Sequence, residues 1–370
     1  MKNNHSNKTK VLVDCHVFDG KGQGTTTYLK GIYSELVQDE NILFYLISFN
    51  PDILKSIFGH RENVIYLKYP SKNKFKRLLF DIPSIIKKHD IDFAHFQYIA
   101  PPIKTCKYIV TIHDVLFLDY PKFFPLAYRI KNKILFYLSA KKADYVLTVS
   151  DYSKERIKYH FNIQDVQVSP NAVDSAYFET YNKKEIQKIV FEKYSIKNYF
   201  LFVSRREPRK NHLNLLKSFV INGYFKKYQL VFIGTKDIQD PAFEKYFYDL
   251  STEIKATVVF LEKVTFEELI YLTRAASISV YPSYAEGFGI PPLESIAANI
   301  PTICSNKTAM SEFDFLKYYL FDPNSIDDIS LKIDFALSRF SVEEEIRAQV
   351  KSKYSWIISA KVLSNIFKNN

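Results

Sequence analysis

Short apolar runs alternate with longer amphipathic segments along the whole chain, and this alternation constrains the fold more than any other feature. The first set of candidate strands is Lys10–Cys15, Phe44–Phe49, Val64–Leu67, Asp92–Phe96, Tyr108–Ile112, Tyr145–Val149 and Val166–Val168. The second set is Phe200–Ser204, Gln229–Gly234, Thr257–Leu261, Ser277–Tyr281, Pro301–Cys304 and Tyr318–Phe321. Helical patterns lie between them, among them Thr26–Leu36, Phe75–Lys88, Ile130–Lys142, Lys210–Val220, Phe266–Ala275 and Ile326–Phe340. Such alternation predicts α/β architecture with parallel sheets. A polar stretch, Ser175 to Asn198, separates the sets and reads as a linker with a helix at Lys183–Tyr194. Two doubly wound domains with a cleft between them follow, with ligand-binding loops at the carboxyl ends of their strands.

Composition sets wide bounds. The 370 residues are 47% hydrophobic, as in ordinary globular chains. No apolar run reaches 18 residues, so no membrane-spanning helix is expected. Met1 to Lys10 is polar and basic, unlike a secretory leader. The three cysteines, Cys15, Cys106 and Cys304, are far apart in apolar runs and read as free thiols of a reducing cytoplasm. No Cys/His cluster has metal-ligand spacing. The net charge of +11 favours anionic partners such as nucleotides, nucleic acid or an acidic membrane, although surface lysines exposed to water explain it as well.

Four segments carry candidate chemistry. Tyr281 to Glu294 runs from an apolar strand through a glycine loop into a helix expected from Pro292 to about Ala298. Such a turn can hold an anion at the helix start, and Glu286 and Glu294 flank it as hydroxyl ligands or as an acid/base pair. Ser204-Arg205-Arg206-Glu207-Pro208-Arg209-Lys210-Asn211 places four cations at another strand end, as a diphosphate trap or as a solvated charge run. His113 ends the Thr111-Ile112-His113-Asp114 strand, where it can hydrogen-bond a sugar hydroxyl, assist a leaving phosphate or serve the structure alone. Asp19 to Thr25 is a glycine loop before a helix, which suits either phosphate approach or a plain turn. It lacks the full dinucleotide-binding spacing, so an NAD site is not expected.

Together these segments resemble the retaining GT-B glycosyltransferases of family GT4. Glu286-Gly-Phe-Gly-Ile-Pro-Pro-Leu-Glu294 is similar to the family's E-x7-E motif. Further likeness lies at Gly22 and Gly24, at residues 111–114, 150–154, 170–174 and 207–211, and in the closing Trp356 helix. The overall look is of bacterial enzymes that build surface polysaccharides, such as O-antigen mannosyltransferases. The resemblance implies two Rossmann-like domains facing a cleft: an acceptor domain at 1–175, a sugar-nucleotide domain at 176–352, and a helix at 353–370 returning to the first. It implies that Glu286 holds donor-sugar hydroxyls, with the amides of Phe288, Gly289 and Ile290 lining sugar and phosphate. Glu294 would take the ribose, Arg205 and Lys210 the diphosphate, and His113 the donor sugar near the reacting centre. Gly22 and Gly24 would let the first loop approach phosphate and acceptor.

The implied reaction moves a hexose, mannose from GDP-mannose in the first instance, to a hydroxyl of a glycan or lipid-linked acceptor. It retains anomeric configuration and uses no metal and no cofactor beyond the nucleoside-diphosphate sugar. Two cationic, aromatic segments, Lys68–Arg77 and Lys122–Lys142, suit peripheral contact with an anionic membrane from the cytoplasmic side. A GT-B epimerase or phosphorylase is the nearest alternative. A non-enzymatic nucleic-acid binder follows only from the charge, and no recognisable motif supports it.

Overall fold

The computed structural model describes residues 8–20, 24–339 and 344–368. Gly22 therefore lies outside the described residues. The chain divides into two compact units, residues 1–172 with 355–370 and residues 173–354.

The first unit holds a seven-stranded sheet built from β1 (Thr9–Asp14), β2 (Ile42–Ser48), β3 (Val64–Lys68), β4 (Phe93–Gln97), β5 (Lys107–Thr111), β6 (Tyr145–Thr148) and β7 (Val166–Val168). Its order is β3-β2-β1-β4-β5-β6-β7 and every pairing is parallel. The Ile42–Ser48 strand is buried throughout, which is why it reads as an unbroken apolar run rather than an alternating one. The second unit holds β8 (Tyr199–Val203), β9 (Gln229–Ile233), β10 (Val258–Leu261), β11 (Ile278–Tyr281), β12 (Thr302–Ser305) and β13 (Leu320–Phe321). Its order is β10-β9-β8-β11-β12-β13, again wholly parallel. Chain direction across each sheet reverses beside its first strand, at β1/β4 and at β8/β11. Ligands of open parallel sheets bind outside the carboxyl ends at such reversals.

Local sequence explains the helix ends. Ser150 accepts the amide of Ser153 at 3.1 Å to start the Asp151–Phe161 helix, and Asn162 ends it with φ +51°. Thr265 and Glu268 form a reciprocal capping box at the Phe266–Ala275 helix. The expected Phe75–Lys88 helix is present but interrupted, because Arg77–Asp81 forms a π-helical turn between Lys74–Lys76 and Ile82–His89.

The stretch from Ser175 to Asn198 is not a solvated linker. Tyr177 is fully buried, Val190 and Ile196 are each 1% exposed, and the Lys183–Tyr194 helix packs on Phe266–Ala275. Polar residues there face water while an apolar minority at helical spacing faces the core, which hides the packing from a reading of composition.

The Trp356–Lys368 helix lies on the Gly24–Leu36 helix of the first unit. Its Trp356 ring sits directly over Gly31, where an added Cβ would meet ring carbons at 2.1 Å. Phe367 packs edge-on against Phe44 and Phe93, with centroids 6.3 and 5.5 Å apart. Gly31→Val is therefore expected to lower stability by about 2–3 kcal/mol through overpacking. Urea unfolding would measure the loss, and the emission of Trp356, the chain's single tryptophan, should shift to the red as the ring leaves its seat.

Candidate active site

The reversal at β8/β11 brings together two loops that are distant in sequence. Residues 204–211 leave β8, and residues 282–289 leave β11. Asn211, in the left-handed region at φ +62°, donates its side-chain amide to the carbonyls of Pro282 at 3.0 Å and Pro323 at 2.8 Å. The amide of Tyr284 donates to the Arg209 carbonyl at 2.9 Å. The Arg209 guanidinium also donates to the carbonyl of Ala285.

Glu286 occupies the centre. Its carboxylate accepts from Lys210 Nζ at 2.6 Å and from Arg209 Nη1 at 3.2 Å, and Arg209 Nη2 reaches Glu207 at 2.5 Å. These four side chains are only 10–16% exposed. Burial alone would raise the Glu286 carboxyl, but the Lys210 and Arg209 charges outweigh it and hold the group down at about 2. Glu286 is therefore ionised across the neutral range. Its backbone amide donates to Thr308 Oγ1 at 2.8 Å, and Thr308 stands at φ +54°, an uncommon conformation for a β-branched residue.

Arg209 and Thr308 are the residues that sequence reasoning passed over. Arg209 lay within the cationic run without a role of its own. Thr308 carried no signal in the sequence.

The four cations are each paired within the protein. Arg205 pairs with Asp237 at 2.6 Å, Arg206 with Glu262 at 2.7 Å, Arg209 with both Glu207 and Glu286, and Lys210 with Glu286. The cations therefore form a matched ionic network rather than an unpaired cluster. Arg205 remains 46% exposed and Lys210 only 14%.

The helix after the loop begins at Ile290, two residues before the expected Pro292, and runs to Ala297. Gly289 precedes it at φ +110°, and a Cβ there would come within 2.9 Å of Met310. Only glycine meets both demands. The Phe288 side chain turns inward against Phe313 and Tyr354, centroids 6.2 and 5.6 Å away.

Glu294, one turn into this helix, differs sharply from Glu286. Burial and the neighbouring charge of Asp174 push its carboxyl up to about 7, against the pull of the Tyr177 hydroxyl. Two carboxylates eight positions apart thus titrate in very different ranges, one far below neutrality and one close to it.

In the first unit, His113 follows β5 and is 7% exposed. Its Nε2 lies 2.7 Å from Gln97 Oε1, and the chain of contacts continues from Gln97 to His95 at 3.2 Å and from His95 to Tyr33 at 2.7 Å. Burial lowers His113 to about 3, so the imidazole is neutral and offers hydrogen bonds rather than charge. Asp114 caps the next segment by accepting the Leu116 amide at 3.1 Å. Gly24 opens the Gly24–Leu36 helix with nothing within 4 Å of a notional Cβ. Arg77 is not part of a cationic surface: it is 4% exposed, 3.5 Å from the buried Asp14, and lies over the Tyr69 ring. Among the described residues no group of three His, Cys, Asp or Glu side chains is placed to hold a metal ion.

Two parallel-sheet units, the second carrying a carboxylate–cation cluster at its strand reversal, define a glycosyltransferase of the GT-B class. The model described as Glycosyltransferase Family 4 matches residues 23–177, and that described as Glycosyl transferases group 1 matches residues 183–353. The two matches lie one in each unit, and the chain is a glycosyltransferase. It is 29% identical over 278 residues to O-antigen chain mannosyltransferase B of Escherichia coli, a match covering 72% of each chain. It is 32% identical over 199 residues to the O-antigen chain mannosyltransferase RfbU of Salmonella typhimurium, covering 53% of this chain and about half, 51%, of that one. Among solved structures, sucrose-phosphate synthase of Thermosynechococcus elongatus superposes with a TM-score of 0.78 at 16% identity, over 98% of both chains.

Proposed function

We propose that the protein transfers mannose from GDP-mannose to a hydroxyl of a lipid-linked glycan during surface-polysaccharide synthesis, with retained anomeric configuration. The observation that carries this reading is Glu286, held ionised between Lys210 and Arg209 on the loop that enters the Ile290–Ala297 helix. The names of the two mannosyltransferase relatives support the choice of sugar and pathway.

The chemistry follows from the ion pairs. The donor's diphosphate draws Lys210 and Arg205 away from Glu286 and Asp237. Glu286 is then free to accept hydrogen bonds from sugar hydroxyls. The bond between the anomeric carbon and the β-phosphate oxygen breaks with its electron pair passing to phosphate, where the two cations already stand. The acceptor hydroxyl bonds to the same face of the anomeric carbon, and its proton passes to the departing phosphate. No metal is assigned a part. Neutral His113 is assigned a hydrogen bond to a sugar hydroxyl, and the first unit is assigned the acceptor and peripheral contact with an anionic membrane. No helix among the described residues is long and apolar enough to cross one.

The ribose is assigned to Glu294. Its ionised form accepts two hydroxyl hydrogen bonds, whereas its protonated form competes with them. The folded carboxyl titrates near 7, above its ordinary 4.5, so nucleoside-diphosphate affinity should rise with pH through about 7. Titration calorimetry between pH 6 and 8 would show the slope, and Glu294→Gln should flatten it. The main test is a screen of sugar nucleotides for binding and transfer, with product anomericity read by NMR. Transfer with inversion, or epimerisation without an acceptor, would overturn the proposal.

A further inference from the structure

The Leu126–Lys142 helix carries an apolar stripe that no described residue covers. Leu126, Ile130, Ile134 and Leu138 recur every four residues and are 48–62% exposed. Opposite stand Phe75 and Leu79, 74% and 37% exposed, the second on the π-helical turn. Between the two walls is a cavity of about 660 Å³, also lined by Pro101 and Pro102.

Two properties of the lining identify the occupant's chemistry. The walls offer almost no polar group. Ser139 is the one hydroxyl, and it is spent, donating to the Leu135 carbonyl at 2.7 Å and accepting from the Ala100 amide at 3.1 Å. A peptide laid there would leave its backbone groups unpaired, whereas a hydrocarbon chain has none to satisfy. The charged lining is of one sign: Lys74, Lys131 and Lys142 contribute to it and no carboxylate does. Lys142 donates to the Pro102 carbonyl. Lys74 and Lys131 repel one another without an ion-pair partner among the described residues, and burial together with Lys131 and Arg77 lowers the Lys74 pKa.

We propose that this groove holds the aliphatic chain of a phosphate-bearing lipid, with the chain between Leu79 and the Ile134–Leu138 wall and the phosphate at Lys74 and Lys131. The inference rests on the reading of the acceptor as lipid-linked and gives that acceptor a seat for its lipid. Adsorption on a charged bilayer would use the lysines but would not need the cavity.

The test titrates the full chain calorimetrically with octyl, decyl and dodecyl phosphate, each below its micelle concentration. Saturable one-to-one binding is expected, tightening by roughly fourfold per added methylene until the chain outgrows the groove. Ile134→Asp and Lys131→Glu should each weaken dodecyl phosphate at least tenfold. Inorganic phosphate and dodecyl maltoside should bind far more weakly. Ile134 is 53% exposed, so its variant is expected to fold, and an unchanged urea midpoint read on Trp356, which packs on Gly31 of the same unit, checks that it has. The groove is refuted if dodecyl phosphate fails to bind or binds Ile134→Asp as tightly as the parent. It is equally refuted if anionic phosphatidylglycerol vesicles sediment Ile134→Asp as well as the parent and only Lys131→Glu is lost, since charge alone then suffices. Absence of any nucleoside-diphosphate binding by the parent would instead defeat the transferase reading.

Discussion

Glu286→Ala is expected to remove sugar transfer to the limit of detection and, separately, to lower stability by about 3 kcal/mol. From sequence, this variant should lose activity with its fold intact. The structure changes that expectation, because the carboxylate neutralises both Lys210 and Arg209 at 10–16% exposure. Removing one partner of a buried pair leaves charge unmatched, which costs about 3–5 kcal/mol, and Glu207 still answers part of Arg209. Glu286→Gln keeps the shape and isolates the charge. The two variants should also separate binding from chemistry. Without Glu286 the cluster gains net positive charge, so GDP should bind at least as tightly while kcat falls by two orders of magnitude or more. Equal loss of GDP binding and kcat would exclude Glu286 as the acceptor of hydrogen bonds from the donor sugar. The sign of the acid dependence follows from the same ion pairs. The folded pKa of about 2 lies below the ordinary 4.5, so the stabilisation is complete above 4.5 and is lost as pH falls toward 2. Urea midpoints of parent and Glu286→Gln should therefore converge in that window.

Lys210→Ala should reduce kcat by about 10²–10³, the usual cost of losing one prepositioned group at a developing negative charge. Arg205→Ala should cost less. Lys210 is 14% exposed and held on Glu286, whereas Arg205 is 46% exposed on an open ion pair with Asp237. A flexible cation in water loses part of its electrostatic effect to screening and to the entropy of being positioned. Single-turnover rates with saturating donor would rank the two. If Arg205→Ala proved the more damaging, the leaving-phosphate role would move from the buried lysine to the exposed arginine.

The sheet architecture was legible because parallel strands covered on both faces leave long apolar runs, as in Ile42–Ser48. The ends were less so. Tyr318–Phe321 reads as one strand, yet Asp314–Tyr319 is 3-10 helical and only Leu320–Phe321 pairs. At the site, the motif pointed to Glu286, but nothing in a run of four cations says which side chain turns inward. That direction is set by the short turn at Pro208–Lys210 and the left-handed Asn211, neither of which has a hydrophobic period to read. Tyr177 was passed over for a related reason. It lies within a stretch whose average polarity suggested a linker, while the electrostatics of Glu294 depend on that one ring and on Asp174 just before it.

The Trp356–Lys368 helix has a consequence for how the protein is made. The face of the Gly24–Leu36 helix at Gly31, together with the rings of Phe44 and Phe93, stays uncovered until Trp356–Lys368 has left the ribosome. All of the second unit is synthesised in that interval. The first unit is begun before the second and completed after it, so its partly built form must wait with apolar surface exposed. A chain stopped at Tyr354 would hold the whole carboxylate–cation cluster yet release a first unit that lacks its closing helix.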